Sequence, residues 1–329
     1  MRQSLLLALS IVCSLLVIGV AGGLTYFMVR FPDVPPPTDE RVEITLDRTI
    51  RGGYLAQHVA VCVDCHSSRD FGKYAGPMVD GTEGQGGFRF GPELGLPGVI
   101  YARNITPTAI GAWSDGELIR AITSGVRPNG ETLFPLMPYQ TFSQLCREDL
   151  ESIVAYLRGI PAIDNEVPAR ELDFPINLLI RTLPQVAELR ADCPKPSDGV
   201  AYGQYLVTIA GCADCHTPSV KGEPIPGRNF AGGQAFDLPW GQIRSANLTP
   251  DETGLGNWSR EQFIDRFKVY ELADAIREVP AGDFNTLMPW TFYSGMTRED
   301  LGAIYDYLRT VPPVQNAVDR WPQGPIAQK

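Results

Sequence analysis

The sequence predicts a mostly α-helical protein, with two tandem copies of one domain behind an N-terminal transmembrane helix. Three observations predict it. Ser4 to Val29 carry no charge. Segments of the first half return in the same order in the second, at offsets between 143 and 151 residues. Both halves hold helix caps and helical apolar stripes, and few segments alternate with the period of a strand.

The elements follow in chain order. The uncharged run from Ser4 to Val29 is 26 residues long. At about 1.5 Å per residue it reaches roughly 39 Å, past the roughly 30 Å hydrocarbon core of a bilayer. A cleaved signal has an apolar stretch of only about 7–15 residues, so residues 1–30 read as a retained anchor. The competing reading is a long signal cleaved near "GVAG" at Ala21. Residues 31–44 include "FPDVPPPTDE", a Pro-rich spacer that cannot continue a helix.

The two copies span residues 45–165 and 198–318. Each should open with a helix, "GGYLAQHVAVC" or "GQYLVTIAGC", that leads into a Cys pair. "NITP" at Asn104 matches "NLTP" at Asn247, and "GAWSDGELIRAI" matches "GNWSREQFIDRF". Ser114 with Glu117, and Ser259 with Gln262, have capping-box spacing, so a helix should start just after Trp113 and just after Trp258. "LMPYQTF" then matches "LMPWTFY", and "REDLESIVAYLRGIP" matches "REDLGAIYDYLRTVP". Leu150, Ile153, Val154 and Leu157, like Leu301, Ile304, Tyr305 and Leu308, form an i, i+3, i+4, i+7 stripe that marks one buried face. Pro161 and Pro312 close these helices, whose "RED" first turns read as solvated. Residues 166–197, with "LDFPINLLIRTLPQVAELR", are expected to pack as a connector, and residues 319–329 to form a tail.

Composition narrows the function. Lys and Arg number 28 against 38 Asp and Glu, a formal charge of -10, which argues against nucleic acid as a partner. Histidine occurs only at His58, His66 and His216, too few for a multi-histidine metal site. Two of the three follow a C-x-x-C directly: "CVDCH" at Cys62 and "CADCH" at Cys212. A four-cysteine zinc site places its second pair about 15–20 residues after the first, whereas Cys65 and Cys212 are 147 positions apart. A redox dithiol needs no histidine behind it. C-x-x-C-H uses every residue: two thiols bond the porphyrin vinyl groups and the imidazole stands under the iron. Its chance occurrence is on the order of 0.001 per chain, and two copies lie at equivalent places. The motif therefore predicts two covalently bound haem c groups, held by Cys62 and Cys65 and by Cys212 and Cys215, with His66 and His216 as iron ligands.

Electron-carrying haems commonly take Met as the second axial ligand. Met137 lies 71 residues after His66, and Met288 lies 72 after His216. Met1 and Met28 belong to the anchor, and Met78 and Met296 have no counterpart in the other copy. Met137 and Met288 are thus the expected sixth ligands, against the alternative that they are core residues.

A helix ending in C-x-x-C-H, a Met-Pro loop and a C-terminal helix together resemble a class I cytochrome c domain. "GGQAFDLPWGQIRSANLTPDETGLGNWS" and its shorter counterpart "NITPTAIGAWS" are similar to the cytochrome c subunits of membrane-bound alcohol, aldehyde and sugar-acid dehydrogenases. The likeness covers about residues 50–318. Many of those subunits carry three haems, where this chain has two motifs. The resemblance implies outer-sphere electron transfer between a membrane dehydrogenase or quinol-oxidising complex and a downstream cytochrome or oxidase. Haem attachment occurs outside the bacterial cytoplasm. That implies an inner-membrane protein with a cytoplasmic N-terminus and periplasmic haem domains. It also places Asn104, Asn247, Trp113 and Trp258 near the haems, as propionate partners or as core.

The rival reading is a diheme enzyme, a peroxidase or a thiosulfate-oxidising type, with one labile ligand. His58 and Cys146 are its candidate residues; His58 reads instead as a solvent-facing helix residue. Once the four haem thiols and the intramembrane Cys13 are set aside, Cys146 and Cys193 remain as a possible disulfide pair, which an oxidising compartment permits.

Overall fold

The computed structural model describes residues 2–220 and 222–322. The expected tail at 319–329 therefore lies outside the described residues from position 323 onward. Helix α1, Arg2–Arg30, is long and apolar enough to cross a membrane, and none of its apolar window is buried against the rest of the described chain. The spacer after it is extended, as its prolines require, but it is pinned rather than free. The Val42 N–H donates to the Asp115 carboxylate at 2.9 Å, and Glu40 pairs with Arg147 at 2.9 Å.

Each half is built on one crossing of two helices. In the first half α2 (Leu46–Tyr54) packs on α5 (Arg147–Gly159); in the second α6 (Val200–Ile209) packs on α9 (Arg298–Leu308). Gly52 and Gly203 stand at the crossings. A Cβ at Gly52 would run into the carbonyl oxygen of Ser152, and one at Gly203 into that of Ala303. The apolar stripes of α5 and α9 fill the core behind them: Leu150, Val154, Leu301 and Leu308 are almost fully buried.

Cys62 lies ten positions after Gly52, but Cys212 lies only nine after Gly203. The first half absorbs its extra residue as a π-helical turn over Leu55–Val59, where the Ala60 N–H reaches the Leu55 carbonyl at 2.7 Å. Neither opening helix runs into its Cys pair as expected. Val61 (φ 43°) and Gly211 (φ 64°) are left-handed and end the helices, so Cys62–His66 (α3) and Cys212–His216 (α7) are separate single turns.

The helices after the tryptophans are α4 (Asp115–Ser124) and α8 (Arg260–Lys268), both with complete capping boxes. The Glu117 N–H donates to Ser114 Oγ at 3.1 Å and the Ser114 N–H to the Glu117 carboxylate at 2.7 Å. Thr297 caps α9 by accepting from the Asp300 N–H at 3.0 Å. At the same place on α5, Cys146 makes no cap and is instead disulfide-bonded to Cys193, with Cα atoms 5.1 Å apart. The strands are only two to four residues long and form three small antiparallel sheets.

Three expectations need correction. The connector is packed only in part: Phe174, Leu179, Leu183 and Val186 are exposed, while Val167, Ile180 and Pro184 are buried and Cys193 ties it to Cys146. The first turns of α5 and α9 are not wholly solvated, because Asp149 and Asp300 are buried. They bind the two halves to each other. Tyr54 on α2 donates to Asp300 of the second half, and Tyr205 on α6 donates to Asp149 of the first at 2.6 Å. Tyr202 and Arg51 supply each carboxylate with a second partner, at 2.7 Å and 2.8 Å. The same hydroxyls also accept backbone N–H groups at matching helix starts, from Thr297 to Tyr54 and from Cys146 to Tyr205. The reciprocity is that of an interface with a two-fold axis. Away from the axis, Asn285 accepts from the Ala75 N–H at 2.9 Å and donates to the Phe71 carbonyl at 3.0 Å.

His58 is the third correction. It faces the second half rather than solvent, with Nδ1 2.9 Å from the Phe292 carbonyl and its ring against Gly295. Nδ1 next to a carbonyl must carry the proton. Burial holds the pKa of this imidazole below its usual value, with Lys268 pushing the same way and the Phe292 carbonyl and Glu271 opposing.

Two outcomes follow for stability. Gly52→Ala should destabilise the protein by about 3 kcal/mol, the upper range for an overpacked core, and denaturant midpoints would measure it. The unfolded chain protonates His58 near its ordinary pKa while the folded chain resists. Stability is therefore complete above about pH 6.5 and declines as the pH falls below that value. His58→Gln should flatten the curve of unfolding free energy against pH between about 7.5 and 5.5. An unchanged slope would show that His58 is not held neutral.

Candidate functional site

The two C-x-x-C-H turns put their cysteines at i and i+3, on one side of a single helical turn. None of the four is in a disulfide. Burial pushes the thiols of Cys62 and Cys212 up to about 12. Thiols held protonated are poor agents of dithiol exchange, which needs a thiolate.

Each histidine is oriented by one backbone carbonyl. His66 Nδ1 lies 2.6 Å from the Arg103 oxygen, and His216 Nδ1 lies 2.7 Å from the Ala246 oxygen. A carbonyl can only accept, so Nδ1 carries the proton and Nε2 keeps the lone pair a metal requires. Burial lowers both pKa values and keeps the rings neutral. The Gly-rich loops hold those carbonyls. Gly86 (φ +73°) packs on Arg103 and Asn104 so closely that a Cβ would overlap their backbone, and Gly232 (φ +69°) packs the same way on Ala246 and Asn247. The Gly86 N–H donates to the His66 carbonyl and the Gly232 N–H to the His216 carbonyl, both at 2.8 Å.

Asn104 and Asn247 are the hubs of the next layer. Asn104 Oδ1 accepts from the N–H and hydroxyl of Thr106 at 2.8 and 2.7 Å, and Nδ2 donates to the Ile163 carbonyl at 2.9 Å. Asn247 does the same with Thr249 and the Val314 carbonyl. These buried amides are thus committed to folding the loop over the histidine. Trp113 lines the cavity beside it, and the exposed Trp258 offers its carbonyl to the Tyr305 hydroxyl.

Cys62, Cys65, His66 and Met137 line one cavity of about 560 Å³. Ile105, Ile122, Phe142 and Leu157 supply apolar wall, and Arg103, Arg127, Arg170, Glu131 and Glu166 supply the charge. Burial lowers the pKa of Arg103 and Arg170, and the neighbouring Arg127 lowers both further. Three cations against two carboxylates leave one net positive charge for an anionic ligand. In the second half, Met288 and Cys212 flank one buried cluster, and the turn is repeated: Tyr139 N–H reaches the Met137 carbonyl, and Trp290 N–H that of Met288, both at 2.8 Å.

The two motifs face each other. Tyr293 lies beside Cys212, Cys215 and Asp214 of one and Asp64 of the other, and its hydroxyl donates to the Ala210 carbonyl at 2.6 Å. A charge on Cys215 would disfavour ionisation of Cys65, and burial raises the Asp214 pKa while the nearby Thr141 of the first half opposes it.

Residues 200–312 match the family model described as cytochrome c. This region is a cytochrome c domain. Such domains bind haem c covalently, and the cavity of the first half, which lies outside the matched region, fits that group: paired thiols, an imidazole with a free lone pair, a thioether, apolar walls and cations for propionates. The chain is 29% identical over 283 residues to the cytochrome c subunit of a quinone alcohol dehydrogenase from Gluconacetobacter polyoxogenes, covering 80% of this chain and 56% of that one. It is 30% identical over 281 residues to the fructose dehydrogenase cytochrome subunit of Gluconobacter japonicus, covering 80% and 52%. The chain thus spans about half the length of these curated relatives. A diheme c-type cytochrome of Cereibacter sphaeroides is 26% identical over 328 residues, covering 96% of this chain and all of that one.

Sequence reasoning missed Gly86, Gly232 and the arginine cluster. The glycines had a signal, since "GG" recurs at Gly86 and Gly232 in both copies. The arginines had none, because Arg170 reaches the cavity from outside the repeated motifs. Asn104→Ala removes both ends of the loop's hydrogen-bond hub, so it should cost about 3 kcal/mol of stability, measured by chemical denaturation.

Proposed function

We propose that the chain is a membrane-anchored diheme cytochrome c that carries electrons by outer-sphere transfer. The observation that carries this reading is that both cysteines, the oriented imidazole and Met137 share one largely apolar cavity. Residues 45–165 and 198–318 each form one haem domain. Cys62 and Cys65, and Cys212 and Cys215, provide the thioether bonds; His66 with Met137, and His216 with Met288, are the axial ligands. When bound, each haem c supplies a one-electron centre. With His66 and Met137 holding one iron and His216 and Met288 the other, no place for a substrate would remain, and the protein's part would be to hold the two centres, exclude water and set their electrostatics.

The facing motifs support transfer from one domain to the other. The relatives named as dehydrogenase cytochrome subunits support a membrane dehydrogenase as donor, with a quinol-oxidising complex as the other option and a cytochrome or oxidase as acceptor. Helix α1 supports anchoring in a membrane, and haem attachment outside the bacterial cytoplasm gives the rest of the reading: the inner membrane, N-terminus in the cytoplasm and haem domains in the periplasm. A diheme enzyme would require a spare or labile ligand. His58 is instead committed to the Phe292 carbonyl and Cys146 to a disulfide.

Carbon monoxide tests the assignment. The reduced protein, with two haems counted per chain, should show no optical change with carbon monoxide. Met137→Ala and Met288→Ala should each bind one equivalent. Binding by the unaltered protein would mean an open iron and restore the enzyme reading.

A further inference from the structure

Helix α1 ends in a recognisable way. Tyr26, Phe27 and Phe31 cluster in its last turn and just beyond, where aromatic side chains mark the boundary between hydrocarbon and headgroups. The last carbonyls of a helix have no partner within it. Here they receive one from far along the chain: Arg181 donates to the Met28 carbonyl at 3.1 Å and to that of Phe31. A cation at this end also opposes the helix dipole. The contact brings the connector to the level at which α1 leaves the bilayer.

Around Arg181 the connector is apolar. From Phe174 to Val186 the sequence is FPINLLIRTLPQV, and Arg181, its one charge, is turned to α1. Phe174 is 78% exposed, Val186 59%, Leu179 50% and Leu183 36%. Such a group of large side chains in water is unfavourable, at roughly 25 cal/mol per Å² of apolar surface. The same patch is favourable if it touches lipid.

We propose that residues 174–186 lie in the headgroup–acyl boundary of the bilayer that α1 spans, as a second, interfacial contact. It rests on the anchor reading given above. With α1 as the sole membrane contact, the soluble part could still swing about residues 31–37, between the helix and the pinned end of the spacer. With Arg181 fastened to the end of α1 and the connector seated in the interface, the haem domains are held at one attitude to the membrane. A donor in the same membrane then meets a constant face of the protein.

The test uses the full, haem-loaded chain in vesicles of phosphatidylethanolamine and phosphatidylglycerol containing phosphatidylcholine with a photoactivatable acyl chain. After illumination, lipid adducts are mapped by mass spectrometry. Adducts are expected on residues 174–186 as well as 4–29. Phe174→Glu combined with Leu179→Glu should reduce the yield on 174–186 about tenfold, leaving that on 4–29 and the haem spectrum unchanged. Adducts on 4–29 alone would overturn the interfacial contact and leave the anchor standing. No adducts on 4–29 would overturn both.

Discussion

Everything in this fold hangs on two places where a helix backbone touches another. Gly52 against the Ser152 carbonyl and Gly203 against that of Ala303 let α2 meet α5, and α6 meet α9, with no side chain between them. The close crossing sets the angle and height at which each Cys-containing turn leaves its opening helix. It also puts Tyr54 and Tyr205 on the outer side of the crossings, where each reaches the buried aspartate of the other half. The interface between halves is thus a consequence of packing within them. A side chain at either glycine would disturb a core, an interface and a Cys-containing turn together.

The histidines depend on a second chain of contacts. An imidazole alone has two tautomers and a free torsion, and a haem ligand needs one of each fixed. The carbonyls of Arg103 and Ala246 do this, and those carbonyls are held in turn by the glycine loop beneath and the asparagine hub behind. Asn165 and Asn316 close the arrangement, donating to the Gln85 and Ala231 carbonyls at 2.9 and 2.8 Å. Six residues in each half therefore serve to aim one nitrogen, although only the histidine stands in the C-x-x-C-H motif.

How much of this the sequence disclosed follows from the range of the interactions. Capping boxes and apolar stripes are local, and they placed the starts of α4, α5, α8 and α9 to within a residue or two, although α9 ends at Leu308, short of its proline stop. The C-x-x-C-H turns are local too. The errors lie where distant parts meet. Asp149 and Asp300 look like ordinary acidic first-turn residues until the other half supplies a tyrosine. His58 occupies an outward helical position whose outside is the second half. The connector's prolines and leucines suggested packing, but much of its apolar surface is exposed. The π-helical turn was detectable as a one-residue difference between copies, though not as a shape.

The duplication fixes two sites in matching frames without making them alike. The carbonyl partner of the histidine belongs to Arg103 in one half and to Ala246 in the other. Five residues beyond the closing asparagines stand Arg170 in the first half and Trp321 in the second. Two of the three cations around the first cavity therefore lack a charged counterpart. Positive charge beside a redox centre favours its reduced form, and the effect is strongest where water is excluded. On the electron-transfer reading, the shared backbone holds two centres in one geometry while residues 103 and 170 give the first a differently charged wall. The frame can be repeated because glycine crossings and asparagine hubs tolerate little change. The cavity walls can differ because they do not carry the fold.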